Sequence, residues 1–122
     1  MYMKKKMMVL FLGISMACAE AQMSHTETAQ TVVESFYKKD LPTLEKHTTK
    51  ESFDSFMYIH DAFPAEDARN PNFKVLHETE NGNTAWVQFT TAYEEQPETF
   101  KLIKENGRWK VTEIGMGEKG PF

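Results

Sequence analysis

A single cysteine among 122 residues leaves no partner for an intrachain disulfide, so the fold must be held by packing alone. The apolar run from Met7 to Ala17 is shorter than the roughly 20 residues a membrane-spanning helix needs. No G-x-S-x-G or P-loop occurs, and Gly115-Met116-Gly117 belongs to a terminal tail rather than a phosphate cradle. His25, His47, His60 and His77 show no H-x-H, H-x-x-x-H or cysteine-paired spacing, so neither a metal nor a cofactor is expected. Beyond Lys4–Lys6 there is no basic cluster, and the formal net charge is −4. Phosphate binding depends on clustered lysine and arginine, which argues against nucleic acid as a partner. Internal repeats and low-complexity tracts are also missing.

The N-terminus carries an export pattern. Lys4, Lys5 and Lys6 precede the apolar run, and small residues follow it, the order of a basic n-region, an h-region and a cleavage site. A buried N-terminal helix is a poor alternative with three lysines against its apolar part. Two cleavage readings stay open. Ala19-Glu20-Ala21 is an A-x-A site that gives a signal peptide over 1–21 and Gln22 as first residue. Cys18 follows the apolar run directly, behind Ala17, and there the segment resembles a bacterial lipoprotein signal, with 1–17 removed and Cys18 lipidated. Ser15 stands where such signals usually carry Leu, Val or Ile. Loss of the three lysines takes the formal charge from −4 to −7 if Cys18 begins the mature chain, and to −6 if Gln22 does, since Glu20 then goes too. About 100 residues remain, enough for one small domain with a single core, taken as 24–115 with a tail over 116–122.

The mature chain reads as helices first and strands second. Ser24 and Glu27 form a capping box ahead of Ala29, Val32, Val33, Phe36 and Tyr37, whose spacing gives one apolar helix face. Asp40 can cap a short second helix through Leu41 and Leu44, with Pro42 tolerated in its first turn. Thr49 or Ser52 can start a third, with Phe53, Phe56, Met57 and His60 on one face and an end before Pro64. Residues 65–72 read as a polar loop. From Phe73 the period changes to two. Phe73–Glu80 and Thr84–Tyr93 flank Asn81-Gly82, and Phe100–Glu105 and Arg108–Ile114 flank Asn106-Gly107, both candidates for type I′ hairpin turns. Pro97 is expected in the connection before the third strand. The order predicts an α+β domain, its N-terminal helices packed on one face of a curved antiparallel sheet of about four strands.

Ala29, Val32, Val33, Phe36 and Tyr37 in the first helix, Asp40 and Leu44 in the second, and Gly107, Trp109, Lys110 and Val111 in the last strand together resemble the nuclear transport factor 2-like superfamily. Within it the chain is most similar to small exported bacterial domains of unknown function, often lipoproteins and sometimes described as lumazine-binding-like. The likeness spans most of Glu27–Ile114, through short and mainly structural motifs. It implies a sheet wrapped around helices with a cone-shaped pocket. Some relatives are isomerases, dehydratases or hydrolases, and many only bind or assemble.

With Asn106-Gly107 as a two-residue loop, Leu102 should pair with Val111 and Phe100 with Glu113. One face then carries Phe100, Leu102, Lys104, Trp109, Val111 and Glu113. If that face meets the helices, Glu113 points toward the core side, where an apolar cone would raise its pKa and suit it to general base work. The alternative leaves Glu113 at the strand end, in water or beside a lysine. Candidate pocket residues are Phe36, Phe56, His60, Tyr93, Trp109 and Glu113. His60 either lines the pocket mouth with Tyr58 and Tyr93 or only ends its helix, where positive charge favours the dipole.

The opposite face would carry Phe73, Val75, His77 and Trp86, with Ile103, Lys110 and Ile114. A solvated face is usually mostly polar, so these apolar residues imply cover, by the tail Met116–Phe122 or by a second copy in a homodimer. Phe73, Val75, Trp86, Ile103 and Ile114 are the interface candidates. Two function classes follow. One is a non-enzymatic exported domain that binds a small apolar ligand or a protein partner at the bacterial cell envelope, periplasmic, extracellular or lipid-anchored. The other is a small pocket enzyme of the isomerase or hydrolase kind with Glu113 as base.

Overall fold

The structure is a computed structural model that describes residues 23–62 and 71–122. The export segment with Cys18, and most of the expected loop after the third helix, lie outside the described residues. Among these residues three helices precede four strands: α1 His25–Lys38, α2 Leu41–Lys46, α3 Lys50–His60, then β1 Lys74–Asn81, β2 Thr84–Thr91, β3 Glu94–Glu105 and β4 Arg108–Thr112. The strands form an open antiparallel sheet in the order β1-β2-β3-β4. The α+β architecture expected from the sequence is the one observed.

Helix starts follow their caps. The Ser24 hydroxyl accepts from the Glu27 N–H at 3.0 Å, and the Ser24 N–H donates to Glu27 Oε1 at 2.9 Å, which satisfies two N–H groups that the first turn leaves unpaired. Asp40 caps α2 by accepting from the Thr43 N–H. Thr49, rather than Ser52, caps α3. The α1 stripe Ala29, Val32, Val33 and Phe36 is buried together with Leu44 of α2. Against it the sheet presents Ala85, Val87 and Phe89 of β2, Leu102 of β3, and Trp109 and Val111 of β4. Buried hydroxyls turn to backbone carbonyls: Thr28 to Ser24, Ser35 to Thr31 and Thr48 to Leu44. Each would otherwise be a costly unpaired group.

The α2–α3 linker also closes the β4 edge. The Thr49 N–H donates to the Val111 carbonyl at 2.9 Å, and the Val111 N–H to that of His47 at 3.0 Å. An edge strand with unpaired backbone groups would invite another chain.

Asn106 and Gly107 both have positive φ, 52° and 79°, as a type I′ turn requires. Leu102 pairs with Val111 as expected, and the ladder ends at Lys101 with Thr112. Phe100 and Glu113 therefore do not pair, and Glu113 lies just beyond the strand.

Four other expectations are corrected. Asn81 pairs with Thr84, so the first hairpin turns on Gly82-Asn83. Gly82 alone there has positive φ, 67°, the sign pattern of a type II′ turn with glycine first. β1 changes phase between Val75 and His77. A bulge adds one residue and flips the facing of what precedes it. Val75 accordingly pairs with Phe89, and the Phe73 ring stacks on Phe89 with centroids 4.9 Å apart. Both were expected on the outer face and belong to the helix side. Tyr93 falls in the β2–β3 turn rather than in β2. Pro97 lies inside β3, not in a connection. The β4 ladder reaches only Lys101, and a register shift separates the β2 pairs of Glu94 and Glu98, so the missing Pro97 N–H costs no ladder bond.

The outer face is covered by the chain's own tail. Gly120 lies so close to the Trp86 ring that an added Cβ would sit 3.1 Å from it. The Phe122 ring stacks on His77 at 5.1 Å, and Lys101 Nζ donates to Glu118 at 2.7 Å. Ile103, paired with Lys110, is half-buried on this face, while Ile114 lies beyond β4 and is exposed.

Candidate functional site

A cleft of about 70 Å³ opens between α1, α3 and β3. Its apolar walls come from one stripe of each element: Val32, Val33 and Phe36 of α1, Phe56 and Ile59 of α3, and Phe100 of β3. The Phe36 and Phe56 rings are 5.4 Å apart and the Phe56 and Phe100 rings 6.3 Å apart, the latter edge to face.

Three polar side chains share this cleft: Tyr37, Glu94 and Glu98. Helical spacing sets Tyr37 one residue beyond Phe36 on the buried stripe. β3 supplies the acids because the strand begins at Glu94 and pairs Glu98 with Phe89 of the inward face. The Tyr37 hydroxyl donates to Glu94 Oε2 at 3.3 Å. The Tyr93 ring stacks behind Tyr37 at 4.2 Å. Burial pushes the Tyr37 phenol well above its ordinary value, and the charges of Glu94 and Glu98 add to the shift. The Glu98 side chain as a whole is exposed, yet partial desolvation in the cleft raises its carboxyl, and the neighbouring charge of Glu94 raises it further. Among the described residues neither carboxylate makes an ion pair.

The residues proposed from sequence scatter around this site. Phe36 and Phe56 line the cleft, and Tyr93 backs its polar end. Trp109 lies at another part of the core, edge to face with His25 at 5.6 Å and beneath Lys104 Nζ at 5.0 Å. His60 ends α3, its Nδ1 3.1 Å from Asp61 and its carbonyl accepting from Lys39 Nζ at 2.6 Å. Tyr58 is 90 % exposed. Glu113 is exposed and accepts from Ser55 Oγ at 3.2 Å, in an open depression that it shares with Phe56, Phe100, Val111 and Ile114 rather than in a closed cone. Glu94 and Glu98 were missed. The signal was the alternation Glu94, Gln96, Glu98 running into Phe100 and Leu102, hidden by reading Pro97 as a break.

A second polar cluster joins α1 to β1. His25 Nε2 is 2.7 Å from Glu78 Oε1, Thr26 Oγ1 donates to the same oxygen at 2.8 Å, and His25 Nδ1 is 3.5 Å from Glu80. The hydrogen bond from Thr26, with that from His25, holds the Glu78 carboxyl below the usual range. Among the described residues no group of three or more His, Cys, Asp or Glu side chains is placed to hold a metal ion, and no helix is long and apolar enough to cross a membrane.

Fold and cleft together define a small α+β domain with an open antiparallel sheet and a narrow, acid-ended cleft on its helix side. No protein-family model and no curated protein matches the chain. Among solved structures it is similar to a SEC-C motif containing protein from Rhodopseudomonas palustris, with 21% identity over 65% of this chain and 67% of that one and a TM-score of 0.38.

Proposed function

We propose that this chain is an exported, non-enzymatic binding domain of the nuclear transport factor 2-like kind, and that it holds a small ligand with an apolar body in the cleft between α1, α3 and β3. The observation that carries the reading is the cleft itself, with apolar walls from three elements and Tyr37, Glu94 and Glu98 among them. Apolar concavities with a few placed polar groups are the usual form of small-molecule sites. The family reading is supported by the positions of its residues: Ala29, Val32, Val33, Phe36, Trp109 and Val111 all lie in the buried core. Export rests on Lys4–Lys6, the apolar run and the A-x-A sites. The enzymatic alternative loses its geometric support, because Glu113 is exposed and bonded to Ser55 outside the cleft.

Two measurements test the proposal. The mass of the protein recovered from its native host should correspond to a chain starting at Gln22, or at Cys18 with added acyl mass. An intact Met1 chain would overturn export. Amide chemical shifts should be followed during titration with 1-propanol and isobutanol. Shifts at Val32, Phe36, Phe56 and Phe100 are expected, and a silent cleft would overturn the binding reading.

A further inference from the structure

We infer that the ligand this cleft selects is a small primary alkylammonium compound, its short stem between Phe36, Phe56 and Phe100 and its charged head between Glu94 and Glu98. The inference rests on the binding reading above and specifies the chemistry of that same site.

Size comes first. An apolar cavity of about 150 Å³ takes a benzene ring, and a water-sized group occupies roughly 30 Å³. The 70 Å³ here therefore excludes a fully seated ring and suits a stem of roughly two or three carbons. The walls within reach of such a stem are aromatic and aliphatic carbon, so a polar chain would lose hydration there without replacement.

Charge comes second. Among the described residues Glu94 receives one side-chain hydrogen bond, from Tyr37, and no cation there pairs with either acid. The two carboxylates line one cleft, and the charge of Glu94 adds to the desolvation that pushes the Glu98 carboxyl up. An ammonium group brings three N–H donors and no acceptor, so it can donate to both acids and relieve their repulsion. A carboxylate ligand would meet like charge, and a neutral alcohol has one O–H donor and no positive charge, so it can donate to only one acid and leaves the repulsion in place. Tyr37 sharpens the choice. Its proton already points at Glu94, and burial together with the two acids keeps it protonated, so the phenol orients a carboxylate rather than competing as an anion.

The probes are n-propylammonium, 1-propanol and propionate, matched in stem and different only in head group. They are titrated into the protein at neutral pH with amide chemical shifts as the readout. Propylammonium is expected to bind at least about tenfold more tightly than 1-propanol, with propionate producing no shifts at the cleft. Glu98→Gln and Glu94→Gln should each erase most of that preference, and 1-propanol shifts retained at Phe36, Phe56 and Phe100 show that each variant keeps its cleft. Equal affinity for propylammonium and 1-propanol would overturn the ammonium inference and leave the binding reading standing. Absence of cleft shifts with all three probes would overturn both.

Discussion

The Tyr37 hydroxyl donates to Glu94 across 3.3 Å and so ties the end of α1 to the first residue of β3. The half-buried phenol packs against Tyr93 and faces two acids, so its ionisation is driven far above the ordinary tyrosine range. Tyr37 should therefore stay protonated until the protein unfolds in alkali. The phenolate absorbance step of the folded protein between about pH 10 and 11 should have the same amplitude in Tyr37→Phe as in the wild type. A reduced step in the variant would contradict the burial argument. The same substitution is expected to cost about 0.5–1.5 kcal/mol in urea unfolding, the net worth of one hydrogen bond.

Glu98 provides a second test through pH. Its folded-state pKa is raised, by desolvation first and by Glu94 second. Below the unfolded value of about 4.3 both states are protonated and no penalty exists. As pH rises through the raised folded value, the unfolded state releases its proton more readily and folding loses stability. Glu98→Gln removes that penalty. The variant should be more stable than the wild type at pH 7, with the gain vanishing by about pH 3.5, as read from urea midpoints at the two pH values.

The opposite sign applies to Glu78. Hydrogen bonds from Thr26 and His25 lower its pKa, so its contribution to stability is present above the unfolded carboxylate value and is lost as pH falls through the lowered folded one. Glu78→Gln should destabilise at pH 7 and match the wild type at pH 2. The Glu78 side chain is half exposed, so the loss at pH 7 is expected to stay under about 1 kcal/mol. A difference that persisted at pH 2 would assign the effect to packing.

Much of this fold was legible where a local signal had only one reading. The Ser24–Glu27 box, the Ala29–Phe36 stripe and the alternation Ala85, Val87, Phe89 each admit a single periodicity, and each sits where its pattern requires. The misses came where two readings were degenerate. Val75 and Leu76 are adjacent apolar residues, so alternation could not set the phase of β1, and the bulge between Val75 and His77 decided it. Asn81-Gly82-Asn83 can place glycine second in one turn type or first in another, and cross-strand pairing chose the latter. The acids at the cleft were lost through Pro97, read as a break although a strand accepts proline where its N–H would make no ladder bond. That Glu98 shares a cleft with Phe56 and Ile59 of α3 depends on packing between distant elements, which no local pattern in β3 announces.

Gly107 offers a clean measure of backbone strain. It has φ of 79°, and a Cβ built there would meet nothing within 4 Å. Gly107→Ala therefore adds no clash, and the cost should be the left-handed conformation alone, about 1–2 kcal/mol. The hairpin should keep its register, with Leu102 still opposite Val111 in cross-strand nuclear Overhauser effects. A cost near zero would mean that this turn can change type without penalty.

The tail gives the last test, because its contact with Trp86 has almost no slack. Gly120 has an ordinary backbone conformation, so a side chain there is not strained in itself, yet its Cβ would lie 3.1 Å from two carbons of the Trp86 ring. That is too close for an unmoved contact, and valine would add two methyl groups to it. The ring is backed by the sheet, between Thr79 and Lys101 on the neighbouring strands, so the tail rather than the ring should yield. The Lys101–Glu118 bond would tether it at one side, while Phe122 would leave His77. Gly120→Val should therefore raise acrylamide quenching of tryptophan fluorescence by exposing Trp86, with Trp109 still 6% exposed in the core and little changed. The urea midpoint should move by less than the equivalent of about 1 kcal/mol, since no core contact is lost. Unchanged quenching would show that Trp86 shifts instead and that the tail holds its place on the sheet.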